Sequence, residues 1–203
     1  MPPIRSISDL DLTGSYTYAD YLTWQFGELV ELIQGKIIRR MSGPLDVHQL
    51  IAYNLGGLLH AQLKRKQCQV RPAPYDVRLT TKGRNAADDV ITTVVQPDLS
   101  IICDRTKIDR RGCNGAPDWI IEVLSPGTAA RDWKIKFDLY EESGVLEYWI
   151  VAPGERAVSV FVLENESYRL VGEYAEPGAV PCAALPGLTL EWADIFDDGT
   201  DGA

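Results

Sequence analysis

No stretch of the 203 residues approaches the roughly 18 uninterrupted apolar residues that a membrane-spanning helix needs. The opening MPPIRSISDLDL also lacks the basic segment and long apolar core of a secretory leader, so a soluble, cytoplasmic protein is expected. Cysteine is sparse. Cys68, Cys103, Cys113 and Cys182 form no CxxC pair, which signals neither a zinc knuckle nor a disulfide framework and leaves reduced structural thiols as the expectation. Basic charge is in deficit: 20 Lys and Arg stand against 29 Asp and Glu, a net charge of -9. That balance excludes loose, charge-driven binding to nucleic acid, so any contact with DNA must be local. The small basic clusters, Arg39-Arg40, Lys64-Arg65-Lys66, Lys82 with Arg84, and Arg110-Arg111, are explained by solvated surface at least as well as by phosphate contacts. There is no internal repeat, low-complexity tract or interdomain linker. One domain over 1–203 is expected, with its core over 16–196 and a solvated acidic tail.

The elements read as follows. Thr17 caps a short helix in YADYLTW, and LVELIQGKIIRRM is a hairpin turning at Gln34-Gly35. Pro44 opens a long helix through LDVHQLIAYNLGGLLHAQLKRK, with Leu45, Ile51, Leu55, Leu58 and Leu59 at helical spacing. Pro72 and Pro74 break the chain before the strand YDVRLT, and TKGRNAADD is a polar loop. VVQPDLSIICD is a strand with Pro97 at its entry, and the loop DRTKIDRRGCNGAP leads to the apolar strand DWIIEVL. SPGT turns into a helix over roughly 128–142, and EYWIVA, AVSVFVL and SYRLVGEY close the sheet. This order predicts a mixed α/β fold with a central β-sheet flanked by helices.

Two of these strands carry a carboxylate where burial would be costly. Asp98 lies in QPDLSIICD and Glu122 in DWIIEVL. An ionised acid inside an apolar strand costs several kcal/mol unless something pairs with it. Alternation sets Ile120, Glu122 and Leu124 on one face and Trp119, Ile121 and Val123 on the other. If the two strands are neighbours, their acids converge into an oxygen-lined site suited to Mg²⁺ or Mn²⁺.

The helix that follows holds an equally misplaced cation. On a helical wheel Lys134, Asp138, Glu141 and Glu142 gather on the outer side, whereas Lys136 falls among Ala129, Trp133, Leu139 and Tyr140. Either Lys136 pairs with Asp132 one turn earlier and snorkels to the edge, or its ammonium reaches Glu122 and a bound phosphate.

ELIQGKII with His48 downstream, QPDLSIICD, GAPDWIIEVLSPGT, the ladder Asp132, Lys136, Tyr140, and GVLEYWIVAP together resemble the Uma family of restriction-endonuclease-like proteins, within the PD-(D/E)XK nuclease superfamily. The resemblance covers most of residues 29–153, and the closing LPGLTLEWADIF is also similar. It implies a restriction-endonuclease-like fold in which Asp98 and Glu122 hold Mg²⁺ and Glu31 completes the metal site. The superfamily usually has lysine two residues after the second acid, but residue 124 is Leu. The matching lysine in this family is Lys136, on the next helix. Glu31 has a plainer reading as a half-exposed hairpin carboxylate. His48, on the apolar face of its helix, is either a hydrogen-bonded core histidine or a residue lining the site. Asp76 is a further candidate ligand or supporting residue, or a partner of Arg78 or Arg71.

The implied activity is Mg²⁺-dependent hydrolysis of DNA phosphodiesters, with Asp98, Glu122 and Lys136 catalytic and a homodimer plausible for cutting both strands. A rival is a non-catalytic nucleic-acid-binding or scaffold domain that keeps the fold; another is a metal-dependent enzyme for a different phosphorylated substrate.

Overall fold

The computed structural model describes residues 3–39, 45–80, 86–125 and 129–199, excepting the side chains of 129–133. Among these residues no helix is long and apolar enough to cross a membrane.

The mixed α/β architecture with sheet flanked by helices holds, and among the described residues its main strands divide between two six-stranded sheets. Sheet I contains β1 (Val30–Ile33), β2 (Lys36–Arg39), β4 (Val77–Leu79), β5 (Thr93–Val95), β7 (Ile108–Asp109) and β8 (Gly112–Asn114), in the spatial order β2-β1-β5-β4-β8-β7. Sheet II contains β3 (Gln69–Pro72), β6 (Leu99–Ile102), β9 (Trp119–Val123), β10 (Glu147–Ala152), β11 (Ala157–Glu164) and β12 (Ser167–Tyr174), in the order β12-β11-β10-β9-β6-β3. A ribbon of β13 (Ala179–Pro181) and β14 (Thr189–Glu191) is separate. The helices are α1 (Tyr18–Tyr21), α2 (Asp46–Leu63), α3 (Ala129–Ser143) and α4 (Trp192–Ile195).

The segment VVQPDLSIICD divides between the sheets: β5 belongs to sheet I and β6 to sheet II, with Gln96, Pro97 and Asp98 as the crossover. Proline has no N–H to give to a ladder, so regular pairing stops there. Several short elements have no counterpart in the sequence reading: β3, ending at Pro72, the small β7–β8 hairpin inside the expected loop, and β13, β14 and α4 near the C-terminus. All are too short to show a period.

Local chemistry explains the elements that do match. Thr17 and Asp20 form a reciprocal capping box on α1. The β1–β2 turn puts Gln34 at φ 51° and Gly35 at φ 80°, the left-handed pair a two-residue hairpin demands. The α2 helix buries Ile51, Leu55 and Leu59 but leaves Leu45, its N-terminal flanking residue, exposed. Pro44, expected to open it, lies outside the described residues, as does part of the TKGRNAADD loop.

Alternation on β9 sorts the core. Trp119, Ile121 and Val123 pack with α2 and α4, and Ile120 packs with Leu139 and Tyr140 of α3 and with Val77 and Val95 of sheet I. One face of sheet II thus meets α2, while the other meets α3 and sheet I. The cysteine expectation needs a correction. Cys68 and Cys103, flanking the paired strands β3 and β6, are joined as a disulfide, whereas Cys113 and Cys182 are free and buried. Sequence spacing could not show it, because antiparallel pairing, not proximity in the chain, brings the two sulfurs together.

Candidate active site

The β6 and β9 strands are antiparallel neighbours, with Leu99 opposite Ile121 and Ser100 opposite Ile120. Continuing that register by one residue sets Asp98 beside Glu122. Glu31 enters from β1 of sheet I, and Lys136 descends from α3. The three acids are 4 %, 6 % and 7 % exposed at Glu31, Asp98 and Glu122. The half-exposed reading of Glu31 therefore falls.

Lys136 resolves toward the acids. Its Nζ donates to Glu122 Oε1 at 2.8 Å and lies 3.2 Å from Glu31 Oε1. The side chain of Asp132, the alternative partner and a candidate site residue, lies outside the described residues. From the next turn of α3 the Tyr140 hydroxyl donates to the same Glu122 Oε1 at 2.7 Å. On the outer face Lys134 and Asp138 pair at 3.1 Å, as an exposed i, i+4 couple should.

Asp98 sits next to this group with partners of its own. Its Oδ2 accepts from the backbone N–H of Val123 at 2.8 Å, and His48 Nε2 approaches the same oxygen to 3.2 Å. His48 is thus both a buried histidine of α2 and a neighbour of the candidate acid.

Burial raises the Glu122 carboxyl above its ordinary value; the Lys136 ammonium opposes this, and the Asp98 and Glu31 charges add to it. Tyr140 is pushed well up by its own burial and by Glu122, so it remains a hydroxyl donor.

Asp76 is farther along the same seam. Its oxygens accept from Tyr18 OH at 3.2 Å and from Gln96 Nε2 at 2.8 Å. The expected arginine partners are engaged elsewhere: Arg78 meets Asp109 at 2.7 Å, and Arg71 bonds to Gln69 and the Val70 carbonyl. Sequence reasoning missed Tyr18, Tyr21 and Gln96. Each is an ordinary residue for its place in the chain, and only the sheet crossover brings them together.

The acids fit a divalent ion by donor chemistry. Three buried carboxylates offer only oxygen, the preference of a hard cation. Lys136 and Tyr140 both use Glu122 Oε1, while Lys136 and the Gln96 N–H both meet Glu31 Oε1. Oε2 of each glutamate has no hydrogen bond among the described residues. As they stand, no three His, Cys, Asp or Glu side chains among those residues surround one point closely enough to hold an ion. Lys136 occupies the space between Glu31 and Glu122.

A family model named Uma2, described as "Putative restriction endonuclease", matches residues 18–193. Among solved structures, a protein described as a "putative nuclease belonging to DUF820", from Anabaena variabilis ATCC 29413, superposes with a TM-score of 0.67 at 22 % identity. The match covers 89 % of this chain and 97 % of that one, and at such identity it speaks for the fold alone. No curated protein matches the sequence.

Proposed function

The chain belongs to the Uma2 family, and from that premise we propose that it is a Mg²⁺- or Mn²⁺-dependent endonuclease hydrolysing phosphodiester bonds of DNA. Asp98, Glu122 and Lys136 are its catalytic residues, and Glu31 joins Asp98 and Glu122 in holding the ion. One observation carries the reading: the Lys136 ammonium sits 2.8 Å from Glu122 and 3.2 Å from Glu31, inside a seam of buried carboxylates. A buried ion pair adds little stability that an apolar pair of the same volume would not, which favours a chemical role for this one.

When bound, a divalent ion supplies positive charge to the phosphoryl oxygens and acidifies water. Glu31 and Glu122 offer their Oε2 atoms, and Asp98 is steadied by Val123 N–H and His48. Tyr140 fixes the rotamer of Glu122 through Oε1. The Lys136 ammonium orients the attacking water or steadies negative charge growing on the phosphoryl oxygens. Because the chain carries a net charge of -9, its contacts with DNA are local to this seam. We place its action in the cytoplasm and expect two copies to pair when both strands are cut.

The test is incubation of purified protein with plasmid and Mg²⁺ or Mn²⁺, beside Asp98→Ala and Glu122→Ala. Nicking or linearisation by wild type alone supports the assignment; equal cutting by all three ends it. Calorimetry with Mn²⁺ separates an enzyme from an inert scaffold, which should not bind the ion.

A further inference from the structure

Gln96 occupies the joint between the sheets. It follows the last residue of β5, precedes Pro97, and is 6 % exposed. Its backbone N–H donates to Glu31 Oε1 at 2.8 Å, the same oxygen that Lys136 approaches. Its side-chain amide donates to Asp76 Oδ1 at 2.8 Å and reaches Tyr21 OH at 3.4 Å. Tyr18 OH holds the other oxygen of Asp76. Two residues beyond Gln96, the Asp98 carbonyl accepts from Ala73 N–H at 3.0 Å.

Two crossovers between the sheets, 73–76 and 96–98, are therefore tied twice: once through backbone at Asp98 and once through the Gln96 side chain at Asp76. The second tie has a particular consequence. Glu31 belongs to sheet I, whereas Asp98 and Glu122 belong to or border sheet II, so the distance between acids depends on how one sheet is set against the other. Pro97 has no N–H, which makes the Gln96 peptide the last donor before Asp98 that can be pinned. An amide anchored at Asp76 fixes the direction of the Gln96 N–H, and that N–H fixes Glu31.

Asp76 is itself held in place by close packing. A Cβ on Gly112 would fall 2.1 Å from the Asp76 carbonyl oxygen, and Gly112 has φ 134°. The neighbouring Cys113 N–H donates to that same carbonyl at 2.9 Å. The anchor for the Gln96 amide thus rests on the backbone of the β7–β8 hairpin.

We propose that Gln96 is a positioning residue: anchored through Asp76, it sets the Glu31 carboxylate against Asp98 and Glu122 across the sheet junction, so that acids from two sheets serve one phosphodiester-cleaving site. This inference rests on the nuclease reading above. It assigns Gln96 no contact with substrate or ion; it acts through Glu31.

The experiment compares wild type, Gln96→Met, and the exchanged pair Gln96→Glu with Asp76→Asn, which rebuilds the tie with amide and carboxylate reversed. Mn²⁺ affinity is read by calorimetry on metal-free protein, and kcat and KM are read on plasmid. Gln96→Met should weaken Mn²⁺ binding about tenfold and lower kcat about 10- to 100-fold, with KM for plasmid unchanged. The exchanged pair should recover both, whereas Gln96→Glu alone, with two carboxylates facing, should not. Wild-type Mn²⁺ affinity and kcat in Gln96→Met overturn the positioning role and leave the nuclease reading intact. Wild type that neither binds Mn²⁺ nor cuts overturns both. If Gln96→Met does not fold, the exchanged pair decides: recovered affinity supports the tie, and a folded pair with weak affinity overturns it.

Discussion

The Lys136 ammonium and the Glu122 carboxylate meet at 2.8 Å between α3 and β9, and the same ammonium stands 3.2 Å from Glu31 on the other sheet. A single cation thus joins acids from two sheets. Removing it leaves buried negative charges facing one another, a situation that costs about 3–5 kcal/mol. Lys136→Met should lower the unfolding free energy by about that amount in metal-free buffer and should abolish plasmid cleavage. Added Mn²⁺ should return part of the lost stability, because a divalent ion restores positive charge to the seam. Thermal melts with and without Mn²⁺ check this; a melting temperature unmoved by the substitution would show that the pair carries no weight.

Tyr140 tests the support beneath Glu122. Its hydroxyl donates to Oε1 at 2.7 Å, and a hydrogen bond to a charged group contributes about 1.5–3 kcal/mol. Tyr140→Phe should cost about that much stability and reduce kcat more than it changes KM for plasmid. Denaturant titration and steady-state kinetics together report both effects.

Glu147 supplies a control with no part in the chemistry. It is fully buried on β10, where its carboxylate accepts from Trp149 Nε1 at 2.6 Å, Cys182 Sγ at 3.2 Å, Ala183 N at 3.2 Å and Ala184 N at 2.5 Å. Glu147→Ala orphans these donors and should destabilise the fold by about 3 kcal/mol or more. Mn²⁺ affinity of the remaining folded protein should be unchanged, which calorimetry below the unfolding transition can establish.

Alkaline pH should weaken the fold. Burial pushes the Cys113 thiol up to about 12 from 9.0 and the Tyr75 phenol up to about 12 from 10.0. In the unfolded chain these groups lose their protons first, so between those values the folded state binds more protons. Their contribution is complete below pH about 9 and is lost as pH rises through about 12. Denaturant titrations stepped from pH 8 to 11 should show stability falling, with a shallower fall in Cys113→Ala. A flat profile would refute the assignment.

The Cys68–Cys103 bond closes a loop with a sequence separation of 35. In chain-entropy terms that cross-link restricts the unfolded state by about 3–4 kcal/mol. Protein purified without reductant and then denatured should expose two reactive thiols, those of Cys113 and Cys182. Adding reductant first should expose all four and lower the melting temperature. Four thiols in the unreduced sample would contradict the bond.

Much of the candidate site was legible as a set of misplacements. Asp98 and Glu122 stood in apolar runs, Lys136 interrupted an apolar stripe, and alternation on β9 correctly divided its faces. Periodicity records which side of an element a residue occupies, and such residues violate it visibly. Glu147 violates it equally, in EYWIVA, yet its partners are an indole, a thiol and backbone N–H groups. The violation marks a buried charge without saying what neutralises it. Gln96 violates nothing, since an amide before a proline is unremarkable at the end of a strand.

The sequence by itself determined the hairpin at Gln34-Gly35, the capped α1, the stripe of α2, the inward side of α3 at Leu139 and Tyr140, and the buried strand β9, because each depends on residues a few positions apart. Tertiary structure alone decided that VVQPDLSIICD would split between two sheets, that Cys68 would meet Cys103, and that Gln96 would join Glu31 to Asp76. Those outcomes depend on pairings between segments distant in the chain, which local propensity and period do not encode.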